Sequence, residues 1–209
     1  MANSTVSVLR TSVRKILLDN ASSVNSRWSD TDILGFFNGA LLEMSRVAKR
    51  RKTGTSISFA AGENSKAFSP ADYFEMYAVV WETASGKRYD LDPPEDAYPL
   101  DTSIGRPSEY WLYEGTLMIR PTPSEAGTVI PVYYRRFTDL TGDGSTAEPE
   151  DSDDILKFYA LWQALDFDGN AKAEIWKEKF ILKLQQWAND ENRRFKHKKR
   201  RSVRVGIYQ

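Results

Sequence analysis

The sequence predicts an α+β fold, with helices toward both ends of the chain and strands between them. Three observations carry that expectation. Apolar residues recur at helical spacing before Arg51 and again after Asp153. Between those stretches they alternate in short runs broken by Gly and Pro. From Arg193 onward both patterns give way to a basic run followed by alternation. The expected architecture is a bundle of about four helices, with a small antiparallel β-domain inserted between the second and third and an extended C-terminal tail. The expected divisions are 1–52 and 153–192 for the two halves of the bundle, 53–137 for the β-domain, 138–152 for an acidic linker and 193–209 for the tail.

Val6, Leu9, Val13, Ile16 and Leu17 share one face of a first helix, with Ser4 or Thr5 available as cap. Ala21–Arg27 is polar and reads as a loop. A second helix opens at Ser29, whose hydroxyl can cap it, with Asp30 and Asp32 in the first turn where the helix dipole favours acids. Ile33, Phe37, Ala40, Met44 and Val47 continue one face to about Arg51. Lys49-Arg50-Arg51-Lys52 reads either as a solvated helix C-terminus or as a contact for DNA or an acidic partner; the solvated reading is preferred.

Thr55–Ala60 and Lys66–Phe68 read as short strands around a Gly62-Glu63-Asn64 turn. Pro70 opens a tight turn beside Ser69. Met76–Thr83 and Lys87–Leu91 form a hairpin across Ala84-Ser85-Gly86. Asp92–Gly105, rich in proline and acids, reads as a surface excursion. Tyr110–Tyr113, Thr116–Arg120 and Val129–Tyr134 then read as an antiparallel meander. Glu114-Gly115 turns the first pair, Pro121 and Pro123 stop the second strand, and Trp111, Tyr113, Tyr133 and Tyr134 seal it. The acidic stretch Thr138–Asp153 puts Asp139 and Asp143 outside the register of a calcium loop, so it is expected to be a solvated linker.

Asp153 or Asp154 is expected to cap a third helix carrying Ile155, Tyr159, Trp162 and Leu165, widened by Leu156, Phe158 and Leu161. Gly169 ends it. A fourth helix carries Ala173, Trp176, Phe180, Leu184 and Trp187; its aromatic stripe reads as core.

Composition narrows the function. There is no cysteine and one histidine, His197, among 209 residues. Thiol chemistry, a histidine-dependent triad and a histidine-rich zinc site therefore cannot be built from one chain. No cofactor and no metal site is expected. The lack of cysteine fits folding in a reducing cytoplasm. No apolar run is long enough to span a bilayer, and a mean hydropathy of −0.53 agrees. Formal charge is balanced at 29 basic and 29 acidic residues, but Arg193–Gln209 holds eight of the basic ones and no acid. An acidic body thus carries a basic tail.

Several segments together resemble the head–tail adaptor (head-completion, or connector) proteins of tailed bacteriophages. Gly105, Pro107, Tyr110, Gly115, Pro121, Pro123 and Tyr134 follow that family's order of turn, apolar run, Pro-x-Pro and aromatic strand. Trp28-Ser29-Asp30-x-Asp32-Ile33-Leu34 resembles the start of its second helix. Phe68–Phe74 resembles its proline step, and Ala164–Asp168 the join of its C-terminal helical hairpin. The resemblance covers roughly Val6–Asn192.

The resemblance implies a structural virion protein of the neck, not an enzyme, made and assembled in the host cytoplasm. It implies a twelve-subunit ring that joins the portal to the tail or stopper protein. That ring would line the channel through which DNA passes without sequence specificity during packaging and ejection. On this reading the tail is the portal-binding element. Arg193, Arg194, Phe195, Lys198, Lys199, Arg200 and Arg201 would meet an acidic partner surface. Val203, Val205, Ile207 and Tyr208 would add a strand to it. Asp92, Pro93, Pro94, Trp111 and Tyr113 are candidates for contact with a neighbouring subunit or the tail. Two other readings remain open at this point: a nucleic-acid-binding module acting through the basic tail, and a cell-wall hydrolase working with two carboxylates.

Overall fold

A computed structural model describes residues 3–18, 27–94 and 103–202, with the backbone alone for 192 and 194–202. The fold is α+β. It divides into two compact units, Met1–Ala48 with Phe137–Gln209, and Lys49–Arg136. The described helices belong to the first unit and the named strands to the second.

The helical unit comprises α1 (Val6–Leu17), α2 (Asp30–Ala48), α3 (Asp153–Phe167) and α4 (Ala173–Ser202). α3 packs against the other three. Its buried Ile155, Leu156, Ala160, Leu161 and Ala164 explain why the sequence is apolar around so much of this helix. α1 buries Val6, Leu9 and Val13 as its period predicts, but Ile16 is left half exposed. Neither Ser4 nor Thr5 caps α1 through its side chain. The first backbone donors find other acceptors: Val6 N–H donates to the Ser145 carbonyl (2.9 Å) and Ser7 N–H to that of Asp143 (3.2 Å).

α2 opens as the sequence predicts. Asp32 N–H donates to Ser29 Oγ (3.1 Å) and Ser29 N–H donates to Asp32 Oδ2 (2.8 Å), a reciprocal capping box. The helix stops earlier than expected, at Ala48. Lys49 takes a left-handed φ of 43°, and Arg51 begins a strand.

At the start of α3 the cap position is Ser152, not Asp153 or Asp154, and no side-chain cap bond forms there. The two carboxylates are used elsewhere. Asp153 accepts from Ser4 N–H (3.0 Å) and Asp154 pairs with Lys157 (2.8 Å). Gly169 ends the turn after α3 with φ 64°, the left-handed value that glycine adopts without penalty. In α4, Ala173, Phe180 and Trp187 are buried. Trp162 and Trp176, expected in the core, are only partly buried; Trp162 lies against Tyr159 and Phe180, and Trp176 against Phe158.

Two expectations about connections are corrected. The stretch 138–152 is a docked strap, not a solvated linker. Asn38 exchanges hydrogen bonds with both backbone groups of Leu140 (2.8 and 3.1 Å). Leu140 and Ala147 are buried, and Trp187 Nε1–H donates to the Glu150 carbonyl (3.0 Å). Asn3 Nδ2 donates to the carbonyls of Ala147 and Pro149 (2.8 and 2.7 Å). Acidic composition concealed this because backbone groups do the docking. The second correction concerns the tail: α4 continues through 193–202, which is helical and not extended.

The strand unit has β1 (Arg51–Thr53), β2 (Ile57–Phe59), β3 (Ser65–Ala67), β4 (Tyr73–Thr83), β5 (Arg88–Leu91), β6 (Ile104–Gly105), β7 (Glu109–Tyr113), β8 (Thr116–Arg120), β9 (Thr122–Pro123) and β10 (Gly127–Arg135). One sheet runs β1-β10-β4-β5, with β2 also on β10; a second runs β3-β8-β7; β6 and β9 form a short parallel pair. The β4–β5 hairpin forms where expected. So does the β7–β8 hairpin, turned by Glu114 and Gly115, both at positive φ (45° and 73°) as a type I′ turn requires.

The expected meander does not form. β10 leaves β8 and pairs along nearly its whole length with β4. β8 has five residues, which β3 and β7 flank, whereas the nine of β10 match the eleven of β4. Tyr133 therefore lies in the core, with Phe59, Phe68, Val79, Trp81, Leu91, Leu117, Ile119 and Val129. Trp111 and Tyr113 belong to the other sheet and do not seal the same surface as Tyr134.

Gly127 is fixed by packing. A Cβ built there would overlap the indole of Trp81, which is fully buried, and would lie 2.8 Å from the Glu82 carbonyl oxygen. Gly127→Ala should therefore destabilise the protein by about 1–3 kcal/mol, as overpacking of a closed core does. Chemical denaturation checks this. An unchanged midpoint would show that β10 does not approach β4 as described.

Candidate functional site

The predicted portal-binding residues fall into two groups. Arg193, Arg194, Phe195, Lys198, Lys199, Arg200 and Arg201 lie on the last turns of α4. Val203, Val205, Ile207 and Tyr208 lie outside the described residues. Arg193 is exposed and reaches Asp190 at 3.9 Å. The last described buried residue of α4 is Glu191, and the helical backbone continues to Ser202, about 16 Å further at 1.5 Å per residue. Positions 194 and 198, and 196 and 200, are one turn apart and all cationic. Like charges at that spacing each cost a helix about 0.2–0.5 kcal/mol. The helix dipole offsets part of this, since cations are favoured at a C-terminus.

The predicted subunit or tail contacts are brought partly together. Asp92 N–H donates to the Ser108 carbonyl (2.9 Å), and Tyr110 N–H donates to that of Asp92 (3.0 Å). This bridge sets Asp92 and Pro93, both exposed, and half-buried Pro94 beside the start of β7. Trp111 and Tyr113 share one face of that strand, opposite Met118 and Thr116 of β8. Trp111 is partly buried and Tyr113 half exposed.

A third cluster is built around Lys49–Lys52, for which the sequence favours a solvated helix end over a contact for DNA or an acidic partner. The run Lys49–Lys52 does not end a helix; its last two residues start β1, paired with the end of β10. Arg51 lies opposite Tyr134, and Arg135 N–H donates to the Arg50 carbonyl (2.9 Å). Two basic stretches far apart in sequence thereby meet at one end of the ladder. The Arg51 guanidinium stacks 3.6 Å from the Tyr77 ring centroid, and Lys49 Nζ lies 5.5 Å from that of Tyr134. The two rings pack edge to face at 5.4 Å. Lys49, Arg51 and Arg136 are exposed. The clue available in the sequence was the second basic pair, Arg135-Arg136, at the end of an aromatic strand.

Lys52 alternates to the opposite side, where its Nζ donates to Asp72 Oδ2 (2.8 Å) and Tyr133 Oη donates to Asp72 Oδ1 (2.9 Å). Burial pushes the Asp72 carboxyl upward, but the bonds from Lys52 and Tyr133 outweigh it and hold the group below its ordinary value. The Lys52 ammonium is raised, chiefly by its bond to Asp72. This tie locks β1 to the turn before β4 and leaves the outer cations unneutralised by Asp72.

Among the described residues, no group of three or more His, Cys, Asp or Glu side chains is placed to hold a metal ion. No described helix is long and apolar enough to cross a membrane.

The depressed Asp72 carboxyl gives stability that is present above the unfolded value of about 3.9 and is lost as pH falls through the lower folded value. Asp72→Asn should thus be less stable than the parent at pH 7, with the difference shrinking in acid. Denaturation midpoints of both proteins at neutral and acidic pH check it; a gap that does not change with pH would show that the carboxylate charge is not involved.

A family model described as SU10 adaptor protein matches the chain over residues 4–205. No curated protein matches the sequence.

Proposed function

The chain belongs to the SU10 adaptor protein family, a phage head–tail adaptor family of structural proteins, and from that premise we propose that it forms the ring joining portal to tail. The ring comprises twelve copies by the same resemblance and lines the channel for DNA. The four helices act as a bundle into which the strand unit is inserted, and α4 delivers the basic arm to the portal.

The observation that carries this reading is the arm. α4 extends beyond its last described buried residue as a helix with seven Lys or Arg between Arg193 and Ser202 and no acid. Like charges one turn apart repel within such a segment, and an acidic partner surface would stabilise it. Because 193–202 is helical, it docks as a helix. Strand addition is confined to Val203, Val205, Ile207 and Tyr208. The contact around Asp92, Pro93, Pro94, Trp111 and Tyr113 faces a neighbouring copy or the tail protein.

The acidic remainder of the chain opposes self-association at low salt, so free protein is expected to be monomeric and to form rings on the portal. Negative-stain images of protein mixed with purified portal should show added rings, and light scattering of protein alone should show a monomer. A variant with Lys198, Lys199, Arg200 and Arg201 all changed to Glu should fail to add to portals, with its thermal midpoint unchanged. Normal addition by that variant would remove α4 from the portal interface; stable rings of free protein would overturn assembly on the portal.

A further inference from the structure

We propose that the basic–aromatic end of the β1–β10 ladder is a second, separate contact surface, and that it binds the phosphate backbone of double-stranded DNA. Choosing DNA as the polyanion rests on the neck-channel reading above; the surface itself is read from geometry. Its cations are Lys49, Arg51 and Arg136, each exposed, and its rings are Tyr77 and Tyr134.

Three features make this more than a solvated charge run. First, the cations come from two chain segments about 85 residues apart: Lys49 lies just before β1 and Arg51 begins it, β1 pairs with the end of β10, and Arg136 follows directly after β10. Second, two of them lie against rings, and Arg136 Nε donates to the Ala71 carbonyl (3.2 Å). Arg51 stacks on Tyr77 and Lys49 sits over Tyr134, so part of the side-chain entropy cost of binding is met before a ligand arrives. A guanidinium stacked through its face keeps its N–H edges for a phosphate. Third, the nearby acid is diverted. Asp72 accepts from Lys52 and Tyr133 on the inner side, which leaves Glu75, opposite Tyr134, as the acid paired directly with this part of β10.

An acidic protein surface would also feel this charge. DNA fits better because these contacts are few, exposed and without a base-reading element. They give weak, salt-labile attraction that is independent of sequence, which is what a strand sliding past a surface requires.

The test uses the full-length protein and a fluorescent random-sequence duplex, with anisotropy read from about 50 to 200 mM salt. A K49Q/R51Q/R136Q variant is compared with the parent and with a K198Q/K199Q/R200Q variant of α4. Removing three phosphate contacts should flatten the slope of log affinity against log salt by roughly 2–3, with the thermal midpoint unchanged. In the parent protein, which needs no substitution, duplex should also protect Lys49 from acetylation. The proposal fails if the K49Q/R51Q/R136Q variant keeps the parent's slope and Lys49 stays equally reactive with and without duplex. It fails too if polyglutamate protects Lys49 and duplex does not, which would assign the surface to an acidic protein. The assay contains no portal, so its failure leaves the adaptor reading standing. Loss of portal binding alongside normal duplex binding would strike that reading alone.

Discussion

The hydrogen bond from Phe137 N–H to Ser45 Oγ, 2.8 Å long and buried, is where the fold closes on itself. Ser45 Oγ also donates to the Leu41 carbonyl within α2, so one hydroxyl ties the chain's return to the helix it left. Between Ser45 and Phe137 lies the whole strand unit. Bringing the ends of so long an excursion together costs chain entropy, although that cost rises only slowly with length. It is met on both sides of the junction. The strand unit pairs its own entry and exit, β1 with β10, and the helical unit receives Phe137 between Ser45 and the ring of Trp187.

The strap 138–152 follows from that closure. Once Phe137 is held, the next residues pass α2 and α1 and supply what those helices lack. Asn38 takes both backbone groups of Leu140, and the carbonyls of Asp143 and Ser145 receive the first N–H groups of α1. Arg10 reaches Asp143 at 2.9 Å and Asp30 at 3.2 Å, and Arg14, nearly buried, donates to the Trp28 carbonyl at 2.8 Å. Helix ends buried without partners would be costly. Here an irregular segment provides the partners, and α1 needs no side-chain cap.

What could be read from the sequence was local. The capping box at Ser29 and Asp32, the face of α1, the Glu114-Gly115 turn and the β4–β5 hairpin each depend on residues close in the chain. The errors arose where distant segments decide. β10 reads as the third strand of a meander because it follows β8, but its partner is β4, some fifty residues back. The strap reads as solvent-exposed because its side chains are acidic, while its backbone does the binding. Lys49–Lys52 reads as a helix end because helical periodicity precedes it; the left-handed turn at Lys49 and the pairing of Arg51 with Tyr134 are not visible in either segment alone. The end of α4 was missed because a basic run with no apolar face gives no period to follow.

The two basic surfaces differ physically. At the end of α4 the cations follow one another along a helical backbone with no acid among them, so on the proposed reading the partner supplies the neutralising charge. At the β1–β10 end Arg51 and Lys49 lie against Tyr77 and Tyr134, with the Lys52–Asp72–Tyr133 tie behind them. A surface whose charge is neutralised by its partner gains specificity from docking. A surface already ordered costs little to use and can be used repeatedly, by a ligand that binds weakly and moves on. On the proposed reading an adaptor uses both kinds: one lasting joint to its neighbour, and a face that a passing polyanion touches without being held.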